Sequence, residues 1–373
     1  MSKLYGGNIM IYIPMLKTRR EEYAILSNMV DCFSNQIIPL VEVIADKYKV
    51  RYKTNPETGE YVYRVTEKRR LKIIETPTNQ DCITLSNIND ILNGRKVFVE
   101  YFRFSNKVYG NNVDISRAEL SWRISNNVEL YKSKTKEITT YPNMIPVISI
   151  KSGFGMSKNE LAMFVTDIQG KCDSMALRIT EEWIDEYKGI INAQLRTNDY
   201  LLLDVLEQNP EHKFMEIEEI IDIGSKANLV LLNSPRKRET KNSDFPMHGF
   251  TNLIENSARN IAASYEINGY GDYCGLKDTM PLNDGSNGTG AALALLYDYK
   301  KNAFYSYCNH NTSLGTKGYK AVVQAIKNDQ TILDPQNDCP AYNKIKTMTG
   351  NGNWSTWHNI CATRYIYQTY KYL

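Results

Sequence analysis

The sequence predicts an α/β protein built as a (β/α)8 TIM-like barrel, with an inserted β-hairpin and a small β-rich C-terminal extension. Three observations lead there. Eight short apolar runs recur along the chain, most of them are apolar at consecutive positions, and segments with helical spacing separate them. The runs are 9–16 (IMIYIPML), 37–44 (IIPLVEVI), 96–102 (KVFVEYF), 144–150 (MIPVISI), 174–179 (SMALRI), 200–206 (YLLLDVL), 227–233 (ANLVLLN) and a less apolar 270–276 (YGDYCGL). A run without polar alternation fits a strand covered on both faces, as in a parallel sheet. Eight such alternations within roughly 275 residues match the barrel in count and in length. An open doubly wound sheet would place a glycine-rich turn after the first strand, where LKTRREEY stands instead.

The helical segments carry end signals. Residues 18–32 begin at Thr18, three residues before Glu21, as in a capping box. Residues 156–170 begin at Ser157 with Glu160 three later and end at Gly170. Residues 180–196 open on Thr180 and two acids, and 209–225 and 250–264 continue the series. Two stretches break the alternation. Residues 47–74 alternate tyrosine and valine around NPETG and read as an antiparallel hairpin inserted after the second strand. Beyond residue 290, AALALLYDY and NAFYSYCN joined by KKN read as a further hairpin, followed by a helix at 317–328. The loop 279–290 is the linker-like segment, so the barrel is placed at 1–280 and the extension at 281–373.

Composition narrows the class. The 373 residues are 42% hydrophobic and 23% charged, ordinary for a globular protein, and a net charge of +3 demands no polyanionic partner. No run is long enough to span a membrane. The first apolar stretch is broken by Pro14 and follows no basic leader region. Seven scattered cysteines form no CxxC pair and no zinc spacing, which reads as a reducing cytoplasm. The four histidines form no constellation, so a Cys308–His310 nucleophilic pair has no supporting motif.

In a barrel, ligands bind at the C-terminal strand ends. The polar residues there are Lys17, Glu42, Glu100, Arg103, Lys151, Arg178, Asp204, Asn233 and Asp272. In one reading they form a polar pocket in which Lys17 and Arg178 hold an anionic group and Glu100 and Asp204 act as general acid and base. Lys17 would join the catalytic set, with Arg178, Glu42, Lys151, Asn233, Asp272 and Tyr273 as ligand contacts. Glu42 and Asp272 would offer ligands to a hard cation such as Mg2+ or Mn2+. In the other reading the layer satisfies itself, for example Arg178 with Glu100 and Lys17 with Asp204, and closes the barrel. The hairpin and its tail interleave tyrosine with lysine and arginine, a pattern shared by nucleic-acid contacts and by solvated ribbons. PRKRETK (235–241) is a second basic stretch, after the seventh strand.

The chain resembles the bacteriophage beta-protein family, first named from a T-even phage. The likeness is carried by YIPMLKTRREEY, IIPLVEV, FVEYF, MALRI, LLLDV and YGDYCG. It continues in AALALLYDY, NAFYSYC, GYKAVVQAI and the tail GNGNWSTWHNICATRYIYQTYKYL. By that resemblance Lys17, Glu42, Glu100, Arg178, Asp204, Gly271, Asp272 and Tyr273 occupy characteristic positions. The resemblance implies a setting in phage–host conflict and no defined reaction. The tail departs from the family, with Arg364 and Tyr365 where a histidine pair is common. Three functions remain open. The first is an enzyme of hydrolase or phosphodiesterase type acting on a phosphorylated or nucleotide-like ligand. The second is a non-catalytic partner in a defence complex, and the third is a nucleic-acid-binding module.

Overall fold

A computed structural model describes residues 10–66, 69–283, 290–329, 334 and 336–373. Eight parallel strands close a barrel: β1 (Ile11–Lys17), β2 (Leu40–Val43), β5 (Val97–Tyr101), β6 (Met144–Ile150), β7 (Ala176–Ile179), β8 (Tyr200–Asp204), β9 (Asn228–Leu232) and β11 (Gly269–Asp272). Each of the eight apolar runs supplies one strand, with residue 9 of the first run lying outside the described residues. Strands β3 (Tyr63–Val65) and β4 (Arg70–Lys72) belong to the insertion, and β10 (His248–Thr251), β12 (Ala292–Asp298) and β13 (Ala303–Asn309) form a separate antiparallel sheet.

The outer layer contains α1 (Arg20–Asn28), α2 (Thr84–Leu92), α3 (Asn106–Tyr109), α4 (Glu119–Ser125), α5 (Val128–Ile138), α6 (Lys158–Gln169), α7 (Ile184–Ala193), α8 (Phe214–Asp222) and α9 (Ala258–Ser264). Ser157 caps α6 as expected, its hydroxyl accepting from the Glu160 N–H at 3.2 Å. Thr18 does not cap α1. The helix starts later, at Arg20, and the Thr18 hydroxyl accepts instead from the Ile44 N–H across to β2. Residues 250–264 are likewise not one helix. Residues 248–251 pair with β13, and only 258–264 coil.

The insertion follows β2 and turns at NPETG, where the Gly59 N–H meets the Asn55 carbonyl and Thr54 pairs with Tyr61. A third segment joins it, because Tyr63–Val65 pairs with Arg70–Lys72 and Tyr52 bridges to Ile74. Glu67 and Lys68 of its tail lie outside the described residues.

The hairpin β12–β13 is covered on both faces. Leu293, Leu295 and Tyr297 enter the main core, while Ala292, Ala294 and Leu296 enter a second core with α10 (Tyr319–Asn328) and α11 (Pro340–Thr347). That two-sided burial explains the unbroken apolar run AALALLY. The last helix, α12 (Trp354–Tyr372), serves both cores. Cys361, Ala362, Tyr365 and Ile366 face the barrel, and Trp357 and Ile360 the second core. No helix among the described residues is long and apolar enough to cross a membrane.

Candidate functional site

Strand register builds the site. Lys17 on β1 stands beside Glu42 on β2, and Glu42 beside Glu100 on β5. Paired residues on parallel neighbours share a face, so all three enter the barrel lumen. Ser149 on β6 pairs with Arg178 on β7, and Asp204 on β8 lies two residues beyond the partner of Arg178. The alternation thus delivers a layer of charged side chains at the C-terminal end of the barrel.

Arg178 is its centre. Its Nη1 donates to Glu42 Oε1 at 2.7 Å and Glu100 Oε2 at 2.6 Å, and its Nε and Nη2 both reach Asp204 Oδ2, at 2.9 and 2.6 Å. Lys17 donates to Glu42 Oε2 at 2.5 Å and Asp278 Oδ1 at 2.7 Å, and lies over the rings of Phe102 and Tyr273. The Tyr273 hydroxyl donates to Glu42 Oε1 at 2.7 Å. Asp278, which sequence reasoning missed, also accepts from the Tyr109 hydroxyl at 2.7 Å and meets Arg238 at 3.4 Å. Every member of this set except Tyr109 and Arg238 is buried.

These contacts fix the charges. Burial opposes ionisation of Lys17, but Asp278 and Glu42 outweigh it and raise its pKa. Arg178 is held firmly charged by Glu100, Asp204 and Glu42 against the same burial penalty. Burial would likewise raise the Asp278 carboxyl, yet Lys17 and the Tyr109 hydroxyl bring it down to about 2. Both cations expected to hold an anionic ligand are therefore already bound to carboxylates. The self-satisfied reading holds for this half of the layer with one correction: the partners of Lys17 are Glu42 and Asp278, not Asp204. Asp204 is occupied as well, since its Oδ1 accepts the Leu206 N–H at 2.9 Å and braces a left-handed leucine. These residues are poorly placed for acid–base work.

The other half is less satisfied. Glu100 Oε1, Ser149 Oγ and Thr180 Oγ1 are buried without a hydrogen-bond partner. They sit at the ends of β5, β6 and β7, which are neighbours in the barrel. Beside them Lys151 lies 3.6 Å from Glu100 Oε1 and 3.8 Å from the centre of the Phe102 ring, with its side chain 15% exposed. Burial, together with the Arg178 charge, lowers the Lys151 pKa despite Glu100. Glu100 itself stays ionised, because Arg178 and Lys151, helped by the adjacent Ser149 hydroxyl, overcome the burial that would raise it. Ser149 and Glu100 thus lie close together without a well-formed hydrogen bond.

Three residues expected in the mouth lie elsewhere. Asp272 pairs with Pro14, one step out of register with the lumen-facing Ile13 and Gly271, so it points to the outer layer. There it accepts from Tyr12 at 3.1 Å, Tyr365 at 2.7 Å and the Cys274 N–H at 2.7 Å, and burial lifts its carboxyl to about 6. It shares no partner with Glu42, so the two do not converge on a metal. Among the described residues no group of three or more His, Cys, Asp or Glu side chains is placed to hold one. Asn233 also turns away, donating to the Glu255 carbonyl at 2.9 Å. Arg103 is buried between Tyr131 and Phe154, with its Nη2 on the Ser149 and Phe154 carbonyls. Gly271 has a steric role, since a Cβ there would lie 2.6 Å from the Ile13 carbonyl oxygen and from the Leu232 side chain.

The loops after β5 and β11 meet across this end of the barrel. Val113 bridges Leu282, the Asp114 N–H reaches the Pro281 carbonyl, and Phe102, Phe104, Val113 and Met280 form a small apolar cluster there. A cavity of about 750 Å3 opens at the opposite end, around Tyr141, Asn143 and Asn198, where the strands begin. Chemistry in such barrels resides at the other face.

The family model for the beta protein matches residues 12–371, nearly the whole chain. The chain belongs to the beta protein family. No curated protein sequence matches this beta protein family member significantly. Among solved structures, tryptophan synthase from M. tuberculosis, in an open form with BRD0059 bound, is similar with a TM-score of 0.38 and 9% identity. That match covers 72% of this chain and 85% of that one. The barrel rests on the strand pairing above rather than on this likeness.

Proposed function

We propose that this beta protein family member binds a small phosphorylated or nucleotide-like ligand at the C-terminal end of its barrel and hydrolyses it there. The observation that carries the reading is the group of unpartnered polar atoms, Glu100 Oε1, Ser149 Oγ and Thr180 Oγ1, beside Lys151. Buried polar atoms without partners are costly, and a ligand that hydrogen-bonds to all three removes that cost. Lys151 is more exposed than Lys17 or Arg178 and would meet the anionic group. Glu100, ionised and with Oε1 held only loosely by Lys151 at 3.6 Å and by the neighbouring Ser149 hydroxyl, would act as general base toward water. Lys17, Arg178, Glu42, Asp204 and Tyr273 position Glu100 through the ion-pair layer. Mg2+ or Mn2+ would have to be brought by the ligand, whose phosphate supplies the missing oxygens. The seven free cysteines fit a cytoplasmic site of action, and family membership is the ground for a role in phage–host conflict.

The test is a panel of nucleoside phosphates and sugar phosphates, read by calorimetry for binding and by phosphate release for turnover. Lys151→Met should abolish turnover together with the binding that supports it, whereas Glu100→Gln should retain that binding and lose turnover. Turnover unaffected by Lys151→Met sinks the assignment.

A second reading, docking to a partner protein of a defence complex, is favoured by the inserted ribbon. Val50, Tyr52, Tyr61, Val65, Leu71 and Ile74 are all exposed on it. Lys72 lies over the Tyr61 ring at 3.5 Å and Arg70 over Tyr63 at 3.9 Å, covering faces on which bases would stack. A gel shift at about 50 mM salt separates the two kinds of partner, because nucleic-acid binding through such a ribbon is salt-sensitive.

A further inference from the structure

The loops after β9 and β11 each carry a cation that the charged layer does not use. Arg236 and Lys277 are neighbours in a parallel bridge. Arg236 is only 7% exposed. Its Nη2 donates to Asn242 Oδ1 at 2.7 Å, its guanidinium lies over Phe245, and its Nε has no partner. Lys277 donates to the Arg238 carbonyl at 2.8 Å. Among the described residues neither reaches a carboxylate, in contrast to Lys17 and Arg178. Both line a cavity of about 230 Å3 with Thr279, Trp354 and His358.

We propose that this cavity is an oxyanion site that takes the phosphate of a small phosphorylated ligand between Arg236 and Lys277. A buried guanidinium with a free N–H and no counter-ion is unfavourable by itself, and a tetrahedral oxyanion matches its fork geometry. Barrels of this kind frequently seat a phosphate on the loops after the seventh and eighth strands, which here are β9 and β11. The volume is below the roughly 300 Å3 at which drug-sized pockets begin, so the site suits a compact phosphate ester. Trp354, shared with an adjoining cavity of about 380 Å3 bordered by Arg19, Arg117 and Pro281, would flank the organic part. The charges agree. Burial and the Arg236 charge bring Lys277 down to about 8 against the pull of Asp244, Glu207 and Glu239. Burial lowers Arg236 to about 10, against Cys361, Tyr319, Asp244 and Cys308. A bound dianion would restore both. The site uses none of the barrel-lumen residues and stands independently of the function proposed above.

The experiment titrates the intact protein with inorganic phosphate and with sulfate at constant ionic strength. Binding is read by calorimetry and by the fluorescence of Trp354 and Trp357, which line the cavity. Saturable binding is expected. The double variant Arg236→Gln, Lys277→Gln should weaken it about tenfold or more, the scale of charge-assisted hydrogen bonds. Lys151→Met should leave it unchanged. Sulfate, whose charge is constant, should bind more weakly as pH rises through about 8. Absence of saturable binding overturns the proposal, as does binding of unchanged affinity in the double variant. Loss of binding in Lys151→Met instead would overturn it and place the anion in the barrel mouth. If the double variant does not fold, Lys277→Gln alone and the wild-type sulfate profile decide, and a flat profile across pH 8 is the overturning result.

Discussion

The two halves of the charged layer contrast in how their hydrogen bonds are used. On the side of β1, β2 and β8, Lys17, Glu42 and Asp204 are fully engaged, each by at least two partners. On the side of β5, β6 and β7, Thr180 Oγ1 has none, Glu100 Oε1 has only Lys151 at 3.6 Å and the nearby Ser149 hydroxyl, and neither contact is a well-formed hydrogen bond. Both halves descend from the same strand-end polar residues and the same alternation. The engaged half is therefore a platform, and the under-used half is where a ligand can contribute something the protein does not already supply.

The most damaging change to this contrast is Arg178→Met. It leaves Glu42, Glu100 and Asp204 buried around a vanished cation, and breaking buried ion pairs in this way costs about 3–5 kcal/mol. Urea unfolding should show that loss. A cost under about 1 kcal/mol would mean that the platform is not held by Arg178.

Asp272 gives the next largest effect, and its sign is opposite to that of the layer. Its folded pKa is raised to about 6, from an ordinary value of 3.8. The stability it contributes is complete below the ordinary value and is lost as pH rises through about 6. The shift corresponds to about 3 kcal/mol. Asp272→Asn should therefore gain on the wild type by roughly that amount between pH 4 and pH 7. Asp278, held down to about 2, behaves conversely: its contribution is present above pH 4 and lost as the solution is acidified toward 2. A wild-type-minus-variant difference that stays flat with pH would show that the Tyr12–Asp272–Tyr365 cluster keeps its carboxylate charged.

Lys151→Met should have a small effect on stability, within about 1 kcal/mol, because its single ion pair is loose and partly open to water. Set beside Arg178→Met, it separates the two halves: one variant should unfold easily, and the other should fold and, on the function proposed above, lose turnover.

Much of this was legible in the residues. The eight strands could be counted because covered parallel strands read as apolar runs, and six of the layer's members stood at their ends. Period-two alternation explains the misplacements. Asp272 and Asn233 each lie one residue out of phase with the lumen, and one step at a strand end reverses the face. Asp278 escaped notice because it lies in the loop beyond the last strand, without periodicity to mark it. Helix α12 was hidden for a different reason. It is buried nearly all round, so it has no polar face, and its many aromatic residues resemble a strand's.

The smallest expected effect concerns the ribbon, where the contrast between platform and binding surface takes another form. Val65 is 77% exposed on β3 and touches neither core. Val65→Glu should shift stability by no more than about 0.5 kcal/mol, as surface substitutions do. It should also leave ligand binding at Lys151 intact. If the ribbon docks a partner protein, however, a charge at its most exposed apolar residue should abolish co-purification of that partner from the native host. Retained co-purification would assign the exposed valines and tyrosines to the ribbon's own folding rather than to docking.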